Sequence, residues 1–456
     1  MYRLHLFKAG LLVYGLGFIT LGIIILLQGQ VVLEVASVFG GIILITHGLH
    51  LFFNMIIAKY RAQALPALIA GSFNVLCGVL AFFMPRLTIK ALLILFTIYV
   101  FLNAAVKLID FAIAVKNNSR RKYMHFISAM FFTTFGIMTC FITDMGIKSL
   151  LVVAGIYLIL YGVCKVRDFA SHMIPMRVKT GIKRGVRISL PVFISAFMPY
   201  RFMNDFNKYI TGADDDETGE DFPRLRRRKN KMSWKTMAAD SEPPEIEVLI
   251  HISKRGAGRM GHCDLIIDDE VLSYGNYDPC ASKFFRIYGD GVLFKADKSK
   301  YIEYSVKGEN KTVICYGLRL NERQKARIKS EVRSLMETAY RWEMPDTGEK
   351  TYSKSAKRML MWEKTGAECF KFRSGSFKNY FVLSTNCVLL ADSILGKAGT
   401  DIIKINGIIT PGSYFDYLQG QFFLEDGLVS SRVIYSNAAR IPLSNEKTPR
   451  RFAEHI

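Results

Sequence analysis

Hydrophobic residues crowd the first third of the chain, in runs separated by short polar intervals. No charged residue stands between Ala9 and Leu27 or between Val35 and Ile57. The runs Ala64 to Met84, Ala91 to Val106, Met124 to Ile142 and Ser149 to Cys164 are equally bare of charge. A membrane-crossing helix needs ~20 apolar residues, so the pattern predicts six spans, with the fourth and sixth at the lower limit of length. The first run is too long for a cleaved secretory signal, is followed too soon by a second, and lacks a small-residue cleavage site.

The runs also repeat. Gly22, Gly78 and Gly136 are each followed 26 residues later by another small residue, Gly48, Ala104 and Gly162. Three two-helix hairpins are the natural reading, since small residues at matched positions let helix backbones approach in lipid. Lys107/Asp110 and Lys165/Asp168 also occupy matched places and read as anchors at the membrane interface. Arg3, Lys8, Lys59, Arg61, Lys116, Arg120, Arg121 and Lys122 fall in one set of loops, while the alternate loops carry only Arg86, Lys90 and Lys148. That bias puts both termini in the cytoplasm.

The threefold hairpin pattern resembles the HdeD-like family of six-helix bacterial membrane proteins, over residues 5 to 170. The resemblance implies a compact helical bundle with a name derived from acid resistance, and brings no reaction or transported substrate with it. A transporter would place ionisable groups at mid-membrane, where only His47, His50, Asn74 and Asn103 are candidates. His47 and His50 share a helix face without carboxylate or thiolate company, so they are expected to pack or hydrogen-bond inside the bundle rather than bind metal.

After residue 175 the character changes. Arg177, Lys179, Lys183, Arg184 and Arg187 precede an apolar stretch from Ile188 to Met203 that Pro191 and Pro199 interrupt, too short to span. Cations beside a modest apolar patch suit a segment lying on anionic inner-leaflet headgroups. An acidic block from Asp214 to Asp221 and a basic one from Arg224 to Lys231 follow, and the whole interval 176–245 reads as a solvated linker. The chain's 60 Lys+Arg against 39 Asp+Glu, a formal net charge of +21, is explained by cytoplasmic loops and this linker meeting acidic lipid. No stacking platform or binding motif accompanies the charge, so no nucleic acid is expected as a partner.

From 246 to 435 strands and helices are mixed, which predicts a soluble α+β domain, with 436–456 as a tail. Glu247 to Ile252 reads as a strand; His262 to Ile267 and Val271 to Tyr274 read as a hairpin turning at Asp268-Asp269. A helix from Glu322 to Tyr340 is capped by Asn321, and another, capped by Ser384 or Thr385, runs through Asn386 and Cys387 to Gly396. Of eight cysteines, Cys77, Cys140 and Cys164 lie in spans. The others show no paired spacing, which suits a reduced compartment and gives no zinc pattern. No cofactor or metal is expected.

Cys387, in the first turn of its helix, would have its thiolate stabilised by free backbone N–H groups and the helix dipole. Those N–H groups could also hold an oxyanion during acyl transfer. A histidine on a strand facing it, oriented by a third polar side chain, completes what thiol acyl chemistry needs. Here the sequence resembles the circularly permuted branch of the NlpC-type papain-like superfamily, which includes lecithin:retinol acyltransferase-like proteins. The likeness covers residues 246 to 420. In that branch the histidine opens a strand and the nucleophile follows much later in an Asn-Cys pair opening a helix. His262 matches the one, Asn386-Cys387 the other. Where the acyltransferases carry a second histidine, this chain has Tyr274, with Ser273 and Asn276 beside it. Counting from the hairpin puts His262 opposite Gly275, so Tyr274 and Asn276 are the candidate orienting residues, with Asp264 behind them.

The expected whole is a multi-domain protein: an all-α transmembrane bundle over 1–175 and a papain-like domain facing the cytoplasm. Its expected function is that of a membrane-anchored cysteine hydrolase or acyltransferase acting on an amide or ester of a peptide, protein or lipid-linked substrate. The alternative is a membrane stress-response or sensing protein whose papain-like domain is a binding module.

Overall fold

The computed structural model describes residues 2–57, 64–117, 122–141, 143–173, 196, 198–211, 233–237, 244–253, 259–284, 287–343, 361–398, 410–422 and 427–436. It divides into two units, one of residues 1–114 and 120–169, the other of 115–119 and 170–456. The acidic and basic blocks between Asp214 and Lys231, and the tail 437–456, lie outside the described residues.

The first unit is helical: α1 (Tyr2–Ile57), α2 (Ala64–Phe83), α3 (Pro85–Lys116), α4 (Lys122–Phe141) and α5 (Thr143–Met173). Among the described residues four helices are long and apolar enough to cross a membrane, Gly10–Phe53, Pro85–Lys116, Lys122–Phe141 and Gly146–Ala170, and Leu68–Phe83 is a shorter apolar helix. The first two expected spans thus fall in one 56-residue helix, broken only at Gln28 (φ −136°, ψ 39°), where two segments meet at a kink. The interval between the runs, Gln28 to Glu34, contains no proline, so nothing in it forbids helix.

The matched small residues sit where helices cross. A Cβ on Gly41 would come within 2.7 Å of the Gly78 carbonyl oxygen, and one on Gly48 within 2.8 Å of that of Gly71. Further along, a Cβ on Gly22 would lie 2.7 Å from the Gly155 oxygen, and one on Gly162 2.5 Å from that of Gly15. The two crossings are one motif used twice: Gly155 and Gly162 repeat the seven-residue spacing of Gly41 and Gly48 on one helix, and Gly15 and Gly22 that of Gly71 and Gly78 on its partner. The third instance falls on α3 and α4, where Thr97 Oγ1 donates to Thr139 Oγ1 at 3.2 Å, and Ala104 and Ala129 are buried. At each crossing small side chains remove the bulk that would hold the backbones apart. Elsewhere in the bundle Asn74 Nδ2 and His47 Nδ1 form a hydrogen bond of 2.9 Å.

The second unit is built on a nine-stranded antiparallel sheet. In chain order its elements are α6 (Met198–Thr211), β1 (Ser233–Met237), β2 (Ile246–Ile252), β3 (His262–Ile267), β4 (Glu270–Gly275), β5 (Tyr288–Asp290), β6 (Val292–Asp297) and α7 (Lys298–Glu303). There follow β7 (Thr312–Leu318), α8 (Glu322–Glu337), β8 (Ala339–Arg341), β9 (Glu368–Phe372), β10 (Asn379–Phe381), α9 (Cys387–Leu395), α10 (Pro411–Phe422) and β11 (Val429–Tyr435). The strand order is β1-β11-β7-β2-β3-β4-β6-β9-β8, with β5 and β10 paired apart. Alternation along β2 buries both faces. Val248, Ile250 and Ile252 face the core under α8, α9 and α10; Leu249 faces a second core holding Phe294, Tyr301 and Cys315. The β3–β4 hairpin turns at Asp268 (φ 52°) and Asp269 (φ 62°) and pairs Ile267 with Glu270, the two-residue turn whose left-handed positions aspartate tolerates.

The interval 176–245, expected as linker throughout, contributes to this unit. Phe202 and Met203 of α6 are 2% exposed and join the core beneath α10, with the Phe202 and Phe415 rings 5.2 Å apart. β1 pairs with β11 at the sheet edge. The amphipathic stretch around residue 200 therefore has a protein face to bury against, and the β1 backbone completes the open edge of β11.

A candidate thiol site at the start of a helix

Asn386, rather than Ser384 or Thr385, caps α9: its Oδ1 accepts from Leu389 N at 3.1 Å, and its Nδ2 donates to the Val382 carbonyl at 2.9 Å. The helix consequently begins at Cys387 itself. Its first turn leaves the N–H groups of Cys387 and Val388 without an intrahelical partner, at the positive end of the helix dipole. α9 lies against β3 and β4, and Cys387 is 4% exposed.

His262 opens β3, its side chain 25% exposed. Its Nε2 lies 3.1 Å from Ser273 Oγ and 3.3 Å from the Tyr277 hydroxyl, and those two oxygens are 2.7 Å from each other. The same nitrogen is 2.9 Å from Asp264 Oδ1, while His251 Nε2 is 2.8 Å from Oδ2. Both approaches are within hydrogen-bond distance, but neither Asp264 Oδ1 nor His251 Nε2 makes a hydrogen bond of straight geometry. The Tyr301 hydroxyl donates to Asp264 Oδ2 at 2.9 Å.

Burial alone would lower the pKa of the His262 ring. The charges of Cys387, Asp264 and Tyr277 outweigh it and hold the ring well above its usual range. Burial would likewise raise the Asp264 carboxyl, and the two histidines beside it hold it well below the carboxylate range instead. The result is an ionised carboxylate, 1% exposed, facing a ring biased towards imidazolium. Alternation on β3 sends Cys263 and Leu265 into the core under α9, whereas Ile266 enters the opposite core with Tyr301 and Tyr277. Cys387 thus approaches from one face of the sheet and the orienting groups from the other. His262, at the end of its strand, feels the charge of both.

Tyr274 and Asn276 are held by other partners, Tyr274 in the core that also contains Cys387. The Tyr274 hydroxyl donates to the carbonyls of Phe377 and Asn379, at 2.9 and 3.1 Å, and its ring packs on Phe372, Phe377 and Tyr380. Asn276 Nδ2 donates to Ser282 Oγ and to the Tyr288 carbonyl, both at 3.1 Å. Both side chains shape the segments that flank the site. The side chains brought to the His262 ring are Asp264, Ser273 and Tyr277, with His251 and Tyr301 behind Asp264. Among the described residues no group of three or more His, Cys, Asp or Glu side chains could hold a metal ion.

Residues 69–141 match the family model DUF308, described as a short repeat of unknown function. The matched stretch runs from within α2 through α3 and α4, so the apolar helical region is similar to that repeat family there, and its apolar helices suit a multi-pass membrane protein. No curated protein and no solved structure matches the chain.

Proposed function

We propose that the chain is a membrane-anchored cysteine hydrolase or acyltransferase with a papain-like sheet domain on the cytoplasmic side. The reading adds that the helical region crosses the bilayer six times, α1 crossing twice with its break at Gln28. Cys387 attacks the carbonyl of an amide or ester and forms an acyl-enzyme. His262 takes the thiol proton and delivers it to the leaving amine or alcohol, and the Cys387 N–H helps hold the oxyanion. Water or a second acceptor then attacks the acyl-enzyme, with His262 as base. Asp264 takes the orienting role expected of Tyr274 or Asn276.

One observation carries the reading: the ring of His262 is held towards its protonated form by a cysteine at a helix start on one side and a buried aspartate on the other. Thiolate nucleophiles are sustained in that kind of environment. A competing reading, a binding or sensing module of the same shape, draws on the near-complete burial of Cys387. Labelling cells with a small thiolate-directed probe, read at the Cys387 peptide because the exposed Cys140 and Cys280 react as well, separates the two. Wild type is expected to label and His262→Ala to label at least tenfold more slowly, with Cys387→Ala as the blank. Equal labelling of wild type and His262→Ala would sink the enzyme reading.

A further inference from the structure

His251 takes no part in the chemistry just described, yet it is placed against the residue that orients it. It lies on β2 directly opposite His262 in the β2–β3 register and is 2% exposed. Its Nε2 approaches Asp264 Oδ2, while Oδ1 of the same carboxylate faces His262. The Tyr301 hydroxyl donates to that same Oδ2, and the Tyr301 ring meets the His251 imidazole edge-on at 5.4 Å. Burial, ahead of the opposing charge of Asp264, keeps His251 below its usual pKa and so neutral; its Nδ1 has no hydrogen-bond partner, and its Nε2 meets Asp264 Oδ2 at 2.8 Å without straight geometry. A leucine or phenylalanine would fill this place, in a strand whose one other polar residue is Glu247, without leaving a buried nitrogen unsatisfied. What the imidazole does for Asp264 explains why it is there.

We infer, resting on the Cys387–His262–Asp264 reading, that His251 is a positioning residue: together with Tyr301 it fixes Asp264 Oδ2, so that Oδ1 stays turned to His262. The titratable groups acting on His251 are Asp264, His262, Tyr301 and Lys311. Of these Lys311 and the His262 imidazolium both oppose a charge on His251, so His251 stays a neutral donor beside an anion. Removing the donor lets the carboxylate turn and weakens the charge that holds the His262 imidazolium.

The test is the pH profile of alkylation at the Cys387 peptide in the full-length protein in native membranes, with iodoacetamide as the probe. His251→Phe, which keeps the bulk and loses the donor, is expected to shift the profile up by about one unit and to slow labelling at pH 7 about tenfold. His251→Gln, whose amide can donate to the same oxygen, is expected to restore the wild-type profile. Tyr301→Phe, which loses only a hydroxyl, is expected to slow labelling about threefold, and it carries the test should His251→Phe fail to fold. A wild-type profile in His251→Phe or Tyr301→Phe, with His262→Ala still shifted, overturns the role of His251 alone. An unshifted profile in His262→Ala overturns the underlying pair and this inference with it.

Discussion

Asp264→Asn changes one oxygen for an amide at constant shape and so isolates the charge. The carboxylate lies 2.9 Å from His262 Nε2 and 2.8 Å from His251 Nε2. With charge centres ~4 Å apart and an effective dielectric of about 20, its attraction for the imidazolium is about 4 kcal/mol. His262 is 25% exposed, so solvent screening brings this to about 2 kcal/mol, or roughly a thirtyfold loss in the rate of Cys387 labelling. Stability falls as well. Removing one partner of a buried charge pair costs about 3–5 kcal/mol, and the lower end applies because the amide oxygen still accepts from Tyr301. For a domain of this size that corresponds to about 6–12 °C in Tm. The three tryptophans, Trp234, Trp342 and Trp362, all lie in the sheet unit, so intrinsic fluorescence of the full-length protein in detergent reports its melting. The sign with pH follows from the depressed carboxyl. Its contribution is present above the unfolded value of about 3.9 and is lost as pH falls through the lower folded value. Wild type therefore has an acid limb that Asp264→Asn lacks. A variant that melts within about 1 °C of wild type and labels at the wild-type rate would refute the assignment of Asp264 to the site.

Two substitutions at glycine test the close approaches. Gly155→Leu places its Cβ against Leu26 and the Gly22 carbonyl, at 2.7 and 3.0 Å, and is expected to destabilise the helical unit by about 1–3 kcal/mol, seen as faster proteolysis in detergent. The exposed neighbour Gly17, with nothing within 4 Å of a Cβ, is expected to accept alanine without change, and equal proteolysis of both variants would count against close packing at this crossing. Gly275→Ala brings a methyl within 2.9 Å of the Tyr277 ring. It is expected to push that ring off His262 and slow Cys387 labelling about threefold, the loss of roughly one hydrogen bond, while leaving the melting temperature within about 5 °C. An unchanged labelling rate would remove Tyr277 from the site.

Much of the sheet unit's local structure was legible because local chemistry decides it. Asp268-Asp269 between alternating apolar residues specifies a two-residue hairpin turn, and the Ile267–Glu270 register follows from it. Asn321 with Gln324 three residues on forms a reciprocal cap, which fixes where α8 starts; its end came earlier than the apolar pattern suggested, at Glu337, because Ala339–Arg341 pairs with β9. The elements missed are those whose partners are distant in sequence. Nothing near residue 202 announces that Phe202 meets Phe415, and nothing near Ser233 announces β11. In the helical unit the small residues were legible as a repeat, and the boundary expected between Leu27 and Val35 falls at the break at Gln28, as a kink within one helix rather than a loop.

For the site, the decisive variable was strand parity. Continuing the Leu265–Leu272 register by three residues places His262 opposite Gly275, as counting from the turn had it. Side chains adjacent to 275 along the chain point to the other face, and those two residues away share the face of His262. The residues to seek were therefore Ser273 and Tyr277, not Tyr274 and Asn276, and both Ser273 and Tyr277 meet His262 Nε2. Asp264 obeys the same rule on His262's own strand. Gly275 is what lets the arrangement close: opposite the histidine it presents no side chain, and the Tyr277 ring folds back into the space a Cβ would take. His251 required one more step, because its place opposite His262 depends on the pairing of β2 with β3, across an interval that carries no turn signal to set the register. A site built across three strands is legible from sequence only as far as its registers are, and here one of the two was.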